Sequence, residues 1–287
     1  MNSMGSNKLY TSFFGLTERP FTLLPDPGFL YWSRQHKRAF AVLEFGILSG
    51  APITLITGEI GSGKTTLLQE LLPQIEDDVS IGLVSNAQGD RGELIQWILN
   101  ALEIEIEPGA PYVKMFQALQ DFLLAEYAKS RRVILIFDEA QNLSVEGLEE
   151  LRMLTNINSN KDVLVQLILV GQPELRDMVQ RPDMRQLAQR VAASFHLGKM
   201  SPETVTNYIG HRLRTAGGSG KEFTDEACAL IHEKTDGVPR LVNQLCDFAM
   251  LYAWSAEEMF ISASTVEQVL EDEVYFGGIS CPQEEPA

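Results

Sequence analysis

The chain is 287 residues long, 45% hydrophobic and 22% charged, with 23 Lys and Arg against 39 Asp and Glu for a formal charge of −16. That apolar fraction supports a sizeable core and excludes a disordered tail or a disulfide-stapled miniprotein. No run approaches the ~18 apolar residues of a spanning helix, the polar Met1–Tyr10 stretch lacks a signal-peptide core, and the acidity disfavours nonspecific nucleic-acid binding.

The first thirty residues alternate aromatics with prolines (Phe14, Pro20, Phe21, Pro25, Pro27, Phe29, Tyr31, Trp32), which no continuous helix tolerates. They are expected to lie across the main domain as a clasp. Ser33 opens a helix to about Ser49, stopped by Gly50, Ala51 and Pro52. From Ile53 strands and helices alternate. Ile53–Thr57 reads as a strand, Lys64–Gln74 as a helix and Val79–Ser85 as a second strand. Asp90 and Glu93 form a capping box for a helix carrying Leu94, Ile95, Ile98, Leu99 and Leu102. Tyr112–Ser130 is an amphipathic helix with Phe116, Leu119, Leu123 and Tyr127 on its apolar face. Val133–Phe137 is continuously apolar, as in a strand buried on both faces of a parallel sheet. Val163–Val170 is a further strand and Ala192–Leu197 an edge strand. The alternation indicates an α/β domain with a mostly parallel sheet.

After Met200 the strands stop. Ser201-Pro202 opens a helix, Thr224 a second, and Pro239 a third running to about Trp254; Ser264 with Glu267 caps a fourth. The expected organisation is residues 1–52 as clasp and first helix, 53–200 as α/β core, 201–276 as an all-helical module, and 277–287 as a disordered tail. Cys228, Cys246 and Cys281 lack ligand or redox spacing, which fits free thiols in a reducing cytoplasm. Trp97, Phe248 and Trp254 are expected in the core. From Leu241 to Ala287 there is no Lys or Arg, while nine acids occur: Asp247, Glu257, Glu258, Glu267, Glu271, Asp272, Glu273, Glu284 and Glu285.

The chemistry concentrates in two motifs. Gly58-Glu59-Ile60-Gly61-Ser62-Gly63-Lys64-Thr65, followed by Thr66, fits G-x-x-x-x-G-K-[ST] between a strand and a helix. Glycines let backbone N–H groups curl around phosphate, Lys64 reaches the outer phosphates, and the Thr65 hydroxyl coordinates Mg²⁺. About 75 residues on, Val133-Ile134-Leu135-Ile136-Phe137 ends in Asp138-Glu139. Asp138 suits the Mg²⁺ shell, and Glu139 can orient or deprotonate an attacking water. Two helices and a strand lie between loop and acids, so another strand is expected between them in the sheet. That spacing, with Glu beside Asp, points to the branch of P-loop ATPases that includes the AAA+ proteins. No Asn-Lys-x-Asp guanine-reading motif occurs.

Phe14-Gly15-Leu16, Pro20-Phe21, Pro25-Asp26-Pro27, Tyr31 and His36 resemble the opening of the general secretion pathway protein A (ExeA-like) family of AAA+ ATPases. The resemblance continues through Thr57-Gly58-Glu59, Asp138-Glu139-Ala140-Gln141-Asn142-Leu143, Gly171-Gln172-Pro173-Glu174-Leu175 and Gln189-Arg190-Val191. It closes with Gly237-Val238-Pro239-Arg240 and Asn243-Gln244-Leu245-Cys246. It implies an ATPase using ATP and Mg²⁺, with Gln172 as the sensor amide beside the γ-phosphate and Arg190, or alternatively Arg185, as a finger entering a neighbour's site. Arg240 would reach bound phosphate from a helical lid. The resemblance further implies ATP-promoted homo-oligomers and a protein partner in an envelope secretion, pilus or polysaccharide-export machine. Family members often continue into a membrane helix, but with no spanning run this chain is expected to resemble the shorter soluble members and not to insert into a membrane. The transposition ATPases share these motifs, so a DNA-transposition regulator is the alternative; an ATP-switched scaffold with little hydrolysis is a third reading.

Overall fold

Residues that are apolar on every side can only sit between two covering layers, and the run Val133 to Phe137 meets that condition with each side chain at most 1% exposed. Burying five such residues contributes on the order of 10 kcal/mol, comparable to the whole net stability of a domain. The sheet is therefore built around this run. The computed structural model describes residues 10–24, 26–75, 78–85, 93–159 and 162–275. These divide into two units, one of residues 34–59 and 67–197 and the other of residues 10–33, 60–66 and 198–275.

In chain order the elements of the first unit begin with α1 (Arg34–Leu48) and β1 (Ile53–Gly58), followed past the glycine-rich turn by α2 (Lys64–Leu71), whose first residues belong to the other unit. Then come β2 (Val79–Ser85), α3 (Glu93–Ala101), α4 (Tyr112–Ala128), β3 (Arg132–Asp138) and α5 (Val145–Leu154). A short antiparallel pair, β4 (Asn158–Ser159) and β5 (Asp162–Val163), precedes β6 (Val165–Gly171). The unit closes with α6 (Pro173–Gln180), α7 (Arg185–Ala188) and β7 (Val191–Leu197). The sheet has five strands in the order β2-β3-β6-β1-β7, all parallel. β6 thus stands between the strand before the glycine-rich turn and the strand ending in the acid pair, as the spacing predicts, and β7 lies at an edge. One buried polar residue interrupts the apolar β6. Gln166 donates from Nε2 to the carbonyls of Gly46, Ile47 and Ala51 at 3.2, 3.4 and 3.3 Å, which satisfies acceptors at the end of α1.

The second unit holds α8 (Pro202–Thr215), α9 (Asp225–Thr235), α10 (Pro239–Ser255) and α11 (Ala263–Glu271). Ser201 and Thr224 cap α8 and α9 as their sequence positions predict, accepting from the Thr204 and Ala227 N–H groups at 3.3 and 3.2 Å. The aromatic N-terminal segment belongs to this unit. Tyr10, Phe14, Phe21 and Phe29 are buried with Val205, Leu213, Val242, Leu245 and Val266. Polar contacts fix it there: Tyr10 Oη donates to Asp247, Arg19 pairs with the same carboxylate, and Arg212 donates to the Pro20 carbonyl while lying 4.8 Å above the Phe29 ring centroid. Burial first, and the neighbouring Asp247 charge second, push the Tyr10 phenol well above its ordinary range.

Several local expectations need correction. The segment expected across the α/β domain instead completes the helical core, because its aromatics find their apolar partners there. The strand expected over Val163–Val170 breaks at Leu164, with Asp162 and Val163 pairing antiparallel to Ser159 and Asn158. The buried row of α4 is Met115, Leu119, Leu123 and Glu126, while Tyr127 is exposed and donates to Asp162 at 2.6 Å. Ser262 rather than Ser264 caps α11, accepting from the Thr265 N–H at 3.4 Å. Trp97 and Trp254 are exposed, not core. The Asp90 cap, Pro25, Cys281 and the segment from Gly277 lie outside the described residues.

A close approach between α1 and β1 gives a stability test. A Cβ added at Gly46 would stand 2.1 Å from the Thr54 hydroxyl oxygen. Gly46→Ala should cost about 1–3 kcal/mol by overpacking. Denaturant unfolding checks this, and Gly46→Ala combined with Thr54→Ala should recover a good part of the loss, a non-additivity expected of residues in contact.

Candidate functional site

The glycine-rich turn follows β1 in the chain, and its glycines carry the backbone where other residues are strained. Gly61 and Gly63 have φ of +74° and +88°. Ser62 and Lys64 are buried, although Lys64 is of a type seldom buried. α2 begins at Lys64, so the positive end of its dipole makes the turn a receptor for an anion. Within the same unit, Gly61 meets the start of α10. A Cβ on Gly61 would lie 2.3 Å from Arg240 Cβ and 3.1 Å from its backbone N. Arg240 follows Pro239 in the first turn of α10 and is exposed, so a cation stands where the helix dipole favours an anion. The turn before it is held by Gly237 (φ +68°), whose carbonyl accepts from the Met200 N–H at 2.9 Å.

At the other unit's sheet edge, Asp138 ends β3 with a buried side chain, and its Oδ1 accepts from the Glu139 N–H at 3.0 Å. Glu139 adopts the left-handed conformation (φ 55°, ψ 39°), which turns its carboxylate away from the strand direction. Two amides hold that carboxylate. Gln141 Nε2 donates to Glu139 Oε2 at 2.6 Å, and Gln172 Nε2 donates to the same oxygen at 3.2 Å. Gln141 Oε1 in turn accepts from the Gln172 N–H at 3.0 Å. Gln172 is the N-cap residue of α6, yet its side chain makes no capping bond and points to Glu139 instead. Gly171 leaves room for the network, since a Cβ there would be 2.8 Å from Gln141 Oε1.

Two groupings of the expected residues thus form: Gly61 with Arg240, and Glu139 with Gln172. Arg190 joins neither; its guanidinium donates to Asn156 Oδ1. Arg185, at the start of α7, is exposed. Sequence reading quoted Gln141 without giving it a role, and the structure makes it the bridge between Glu139 and Gln172. An amide two residues beyond a strand-ending acid pair was the available signal. His196, on β7, was also passed over; its Nδ1 lies 3.0 Å from the Thr57 hydroxyl, one residue before Gly58.

Residues 47–179 match the model of the AAA domain family. Over 247 residues the chain is 38% identical to general secretion pathway protein A of Aeromonas hydrophila, an alignment covering 86% of this chain and 45% of that protein. The chain therefore spans less than half the length of this curated relative. Among solved structures, Cdc6p from Pyrobaculum aerophilum matches with a TM-score of 0.67 at 17% identity, over 90% of this chain and 73% of that one. The Aeropyrum pernix ORC2 protein in its ADPNP–ADP complexes matches at 0.58 and 20% identity, over 83% and 66%. Drosophila ORC bound to DNA matches at 0.63 and 15%, over 96% and 68%. At these identities the structural matches establish the fold alone, a parallel α/β core with helices following it; the AAA description belongs to the family match over residues 47–179.

The glycine turn is testable directly. Gly61→Ala adds strain of about 1–2 kcal/mol in a left-handed position, together with the clash against Arg240. Binding of a fluorescent ATP analogue should fall more than about tenfold, while circular dichroism stays that of the unaltered chain.

Proposed function

We propose that this chain, which matches the AAA domain family over residues 47–179 and is 38% identical to general secretion pathway protein A of Aeromonas hydrophila, binds and hydrolyses Mg-ATP to drive assembly or remodelling of an envelope secretion, pilus or polysaccharide-export complex. The observation that carries hydrolysis, beyond binding, is the Glu139 carboxylate fixed by two amides at the end of β3. A base must be aimed as well as present, and a carboxylate on a surface turn would not need two side-chain donors on one oxygen.

In this reading Gly58 to Thr66 cradle the phosphates with backbone N–H groups, and Lys64 supplies the charge that reaches the outer ones. Thr65 and Asp138 are hard oxygen donors of the kind magnesium takes alongside phosphate and water. Bound magnesium would neutralise charge on the phosphate oxygens. Glu139 orients a water and takes its proton, while Gln172 can pass from Glu139 to that water or to a phosphate oxygen. Arg240, seated against Gly61, is the sensing cation. A second arginine comes from a neighbouring copy in an ATP-promoted oligomer, with Arg190 or Arg185 as donor; Arg190 must first leave Asn156. Among the described residues no helix is long and apolar enough to cross a membrane.

Steady-state ATPase measurement across protein concentration tests the reading. Glu139→Gln should lower kcat by about 10²-fold or more, as removal of a general base does, with ATP affinity retained. Equal, near-zero rates in both proteins with binding intact would replace the enzyme by an ATP-switched scaffold. Gln141→Leu should lower kcat by about tenfold without changing ATP affinity, because it loosens the base and touches no phosphate. An equal loss of affinity would make Gln141 a structural residue only.

A further inference from the structure

Two of the four helices in the second unit end as helix electrostatics favours. α8 carries Arg212 and Arg214 in its last turn with Gly217 beyond at φ +90°, and α9 carries His232 and Lys234. The acid after α9, Asp236, is paired with Lys199. α10 and α11 do the opposite. Neither has a base in its last turn, and each is followed by a glutamate in the left-handed conformation, Glu257 at φ +58° and Glu273 at φ +52°. Glu258 adjoins the first, while Glu271 and Asp272 adjoin the second. None of these five acids has an ion-pair partner among the described residues. Their charge adds to the carbonyl end of each helix dipole.

The same place exposes three large apolar side chains: Trp254 (36%), Met259 (53%) and Phe260 (64%). Local hydrogen bonds show that the features are contiguous. The Glu257 and Glu258 N–H groups donate to the carbonyls of Trp254 and Ala253 at 3.1 and 2.8 Å. Tyr252 Oη, in the last turn of α10, donates to Asp272 at the end of α11 at 2.8 Å, and Thr265 donates to Glu258 at 3.3 Å. An exposed base, Lys221, precedes Glu222, whose carbonyl accepts from the Ile261 N–H at 2.7 Å. Partly exposed, these apolar side chains forgo a fraction of the roughly 1.5–3 kcal/mol that full burial of each contributes. An apolar patch rimmed by polar groups marks an interaction site, and aromatic and Met anchors are what such sites use.

We propose that the ends of α10 and α11 form a docking surface for a basic amphipathic helix of a protein partner. Its apolar stripe lies on Trp254, Met259 and Phe260, and its flanking Lys or Arg face Glu257, Glu258, Glu271, Asp272 and Glu273. Charge complementarity selects this occupant: no Lys or Arg occurs from Leu241 to Ala287, so nucleic acid and anionic lipid are repelled where a cationic helix is drawn in. The inference stands on surface chemistry and does not rest on ATP turnover.

The test uses the full chain and a fluorescein-labelled peptide of Leu and Lys, about 18 residues or five helical turns, patterned at helical period. Its controls are a scrambled peptide and a Leu/Glu counterpart. The patterned peptide should bind one per chain and blue-shift the emission of Trp254, a shift lost in Trp254→Phe and kept in Trp97→Phe. Met259→Ser with Phe260→Ser should weaken binding about tenfold or more, with melting unchanged because both side chains are exposed. Glu257→Lys, Glu258→Lys and Glu271→Lys together should weaken it similarly and flatten its salt dependence. Reversing the exposed Glu103, Glu105 and Glu107 of the other unit should leave it intact. Equal binding of the scrambled peptide, or equal loss on reversing that second set, reduces the effect to bulk acidity and overturns the proposal. Sedimentation supplies a further arm. A self-associated chain that the peptide dissociates, and that Phe45→Ser with Leu48→Ser on the exposed face of α1 also dissociates, would assign the surface to a second copy instead.

Discussion

The chemistry at the sheet edge of the first unit depends on β6 being held between β1 and β3. Leu55, Leu169 and Phe137 stand in one row across the three strands. That register places Gly58, Gln172 and Asp138 at neighbouring strand ends. A slip of one residue would turn every side chain of β6 to the opposite face, burying polar Gln166 in the wrong layer and removing Gln172 from Glu139. The all-apolar neighbours of Gln166 make such a slip costly, and its bonds to the end of α1 make it costlier still. Packing thus fixes the register, and the register fixes how Gln172 meets Glu139.

The second unit solves a different problem. Its helices do not close their core alone, and the chain adds its own N-terminal aromatics to complete it. Asp247 organises that addition by taking both Tyr10 and Arg19. Because Asp247 lies midway along α10, the segment restrains the helix at its middle. The first turn of α10 meets Gly61, and its far end carries the exposed apolar and acidic surface.

Much of this was legible from the sequence because it follows from periodicity and chain connectivity. The buried strands announce themselves by continuous apolar runs, the insertion of a strand between β1 and β3 follows from what lies between the two motifs, and Ser201 and Thr224 mark helix starts by their position before the first periodic residue. The amide network was not legible. Gln141 and Gln172 lie 31 residues apart, on different elements, and nothing local to either says that they bond. The cap of α11 was misplaced because Ser262 and Ser264 are chemically alike and bond each other at 2.8 Å; only backbone conformation separates them. The burial of the aromatic segment in the helical core escaped because aromatic content predicts burial but not the partner. Trp97 and Trp254 were assigned to the core by residue type, although the apolar stripes of α3 and α10 run along other positions.

The placement of α10 gives the two functional surfaces of the second unit a physical relation. Its 17 residues span about 25 Å, and an α-helix of that length is stiff, with every internal N–H bonded. One end seats a cation against a phosphate-type turn, where an anion would be drawn to it. The other end concentrates negative charge around exposed apolar groups, where a cation would be drawn. Occupation of either end neutralises charge that the helix dipole renders unfavourable there, since Arg240 opposes the dipole at the N-terminus as Glu257 and Glu258 oppose it at the C-terminus. The same helix is thus left electrostatically unsatisfied at both ends. Each deficit is the complement of the ligand proposed for that end: phosphate at the first, a basic partner at the second.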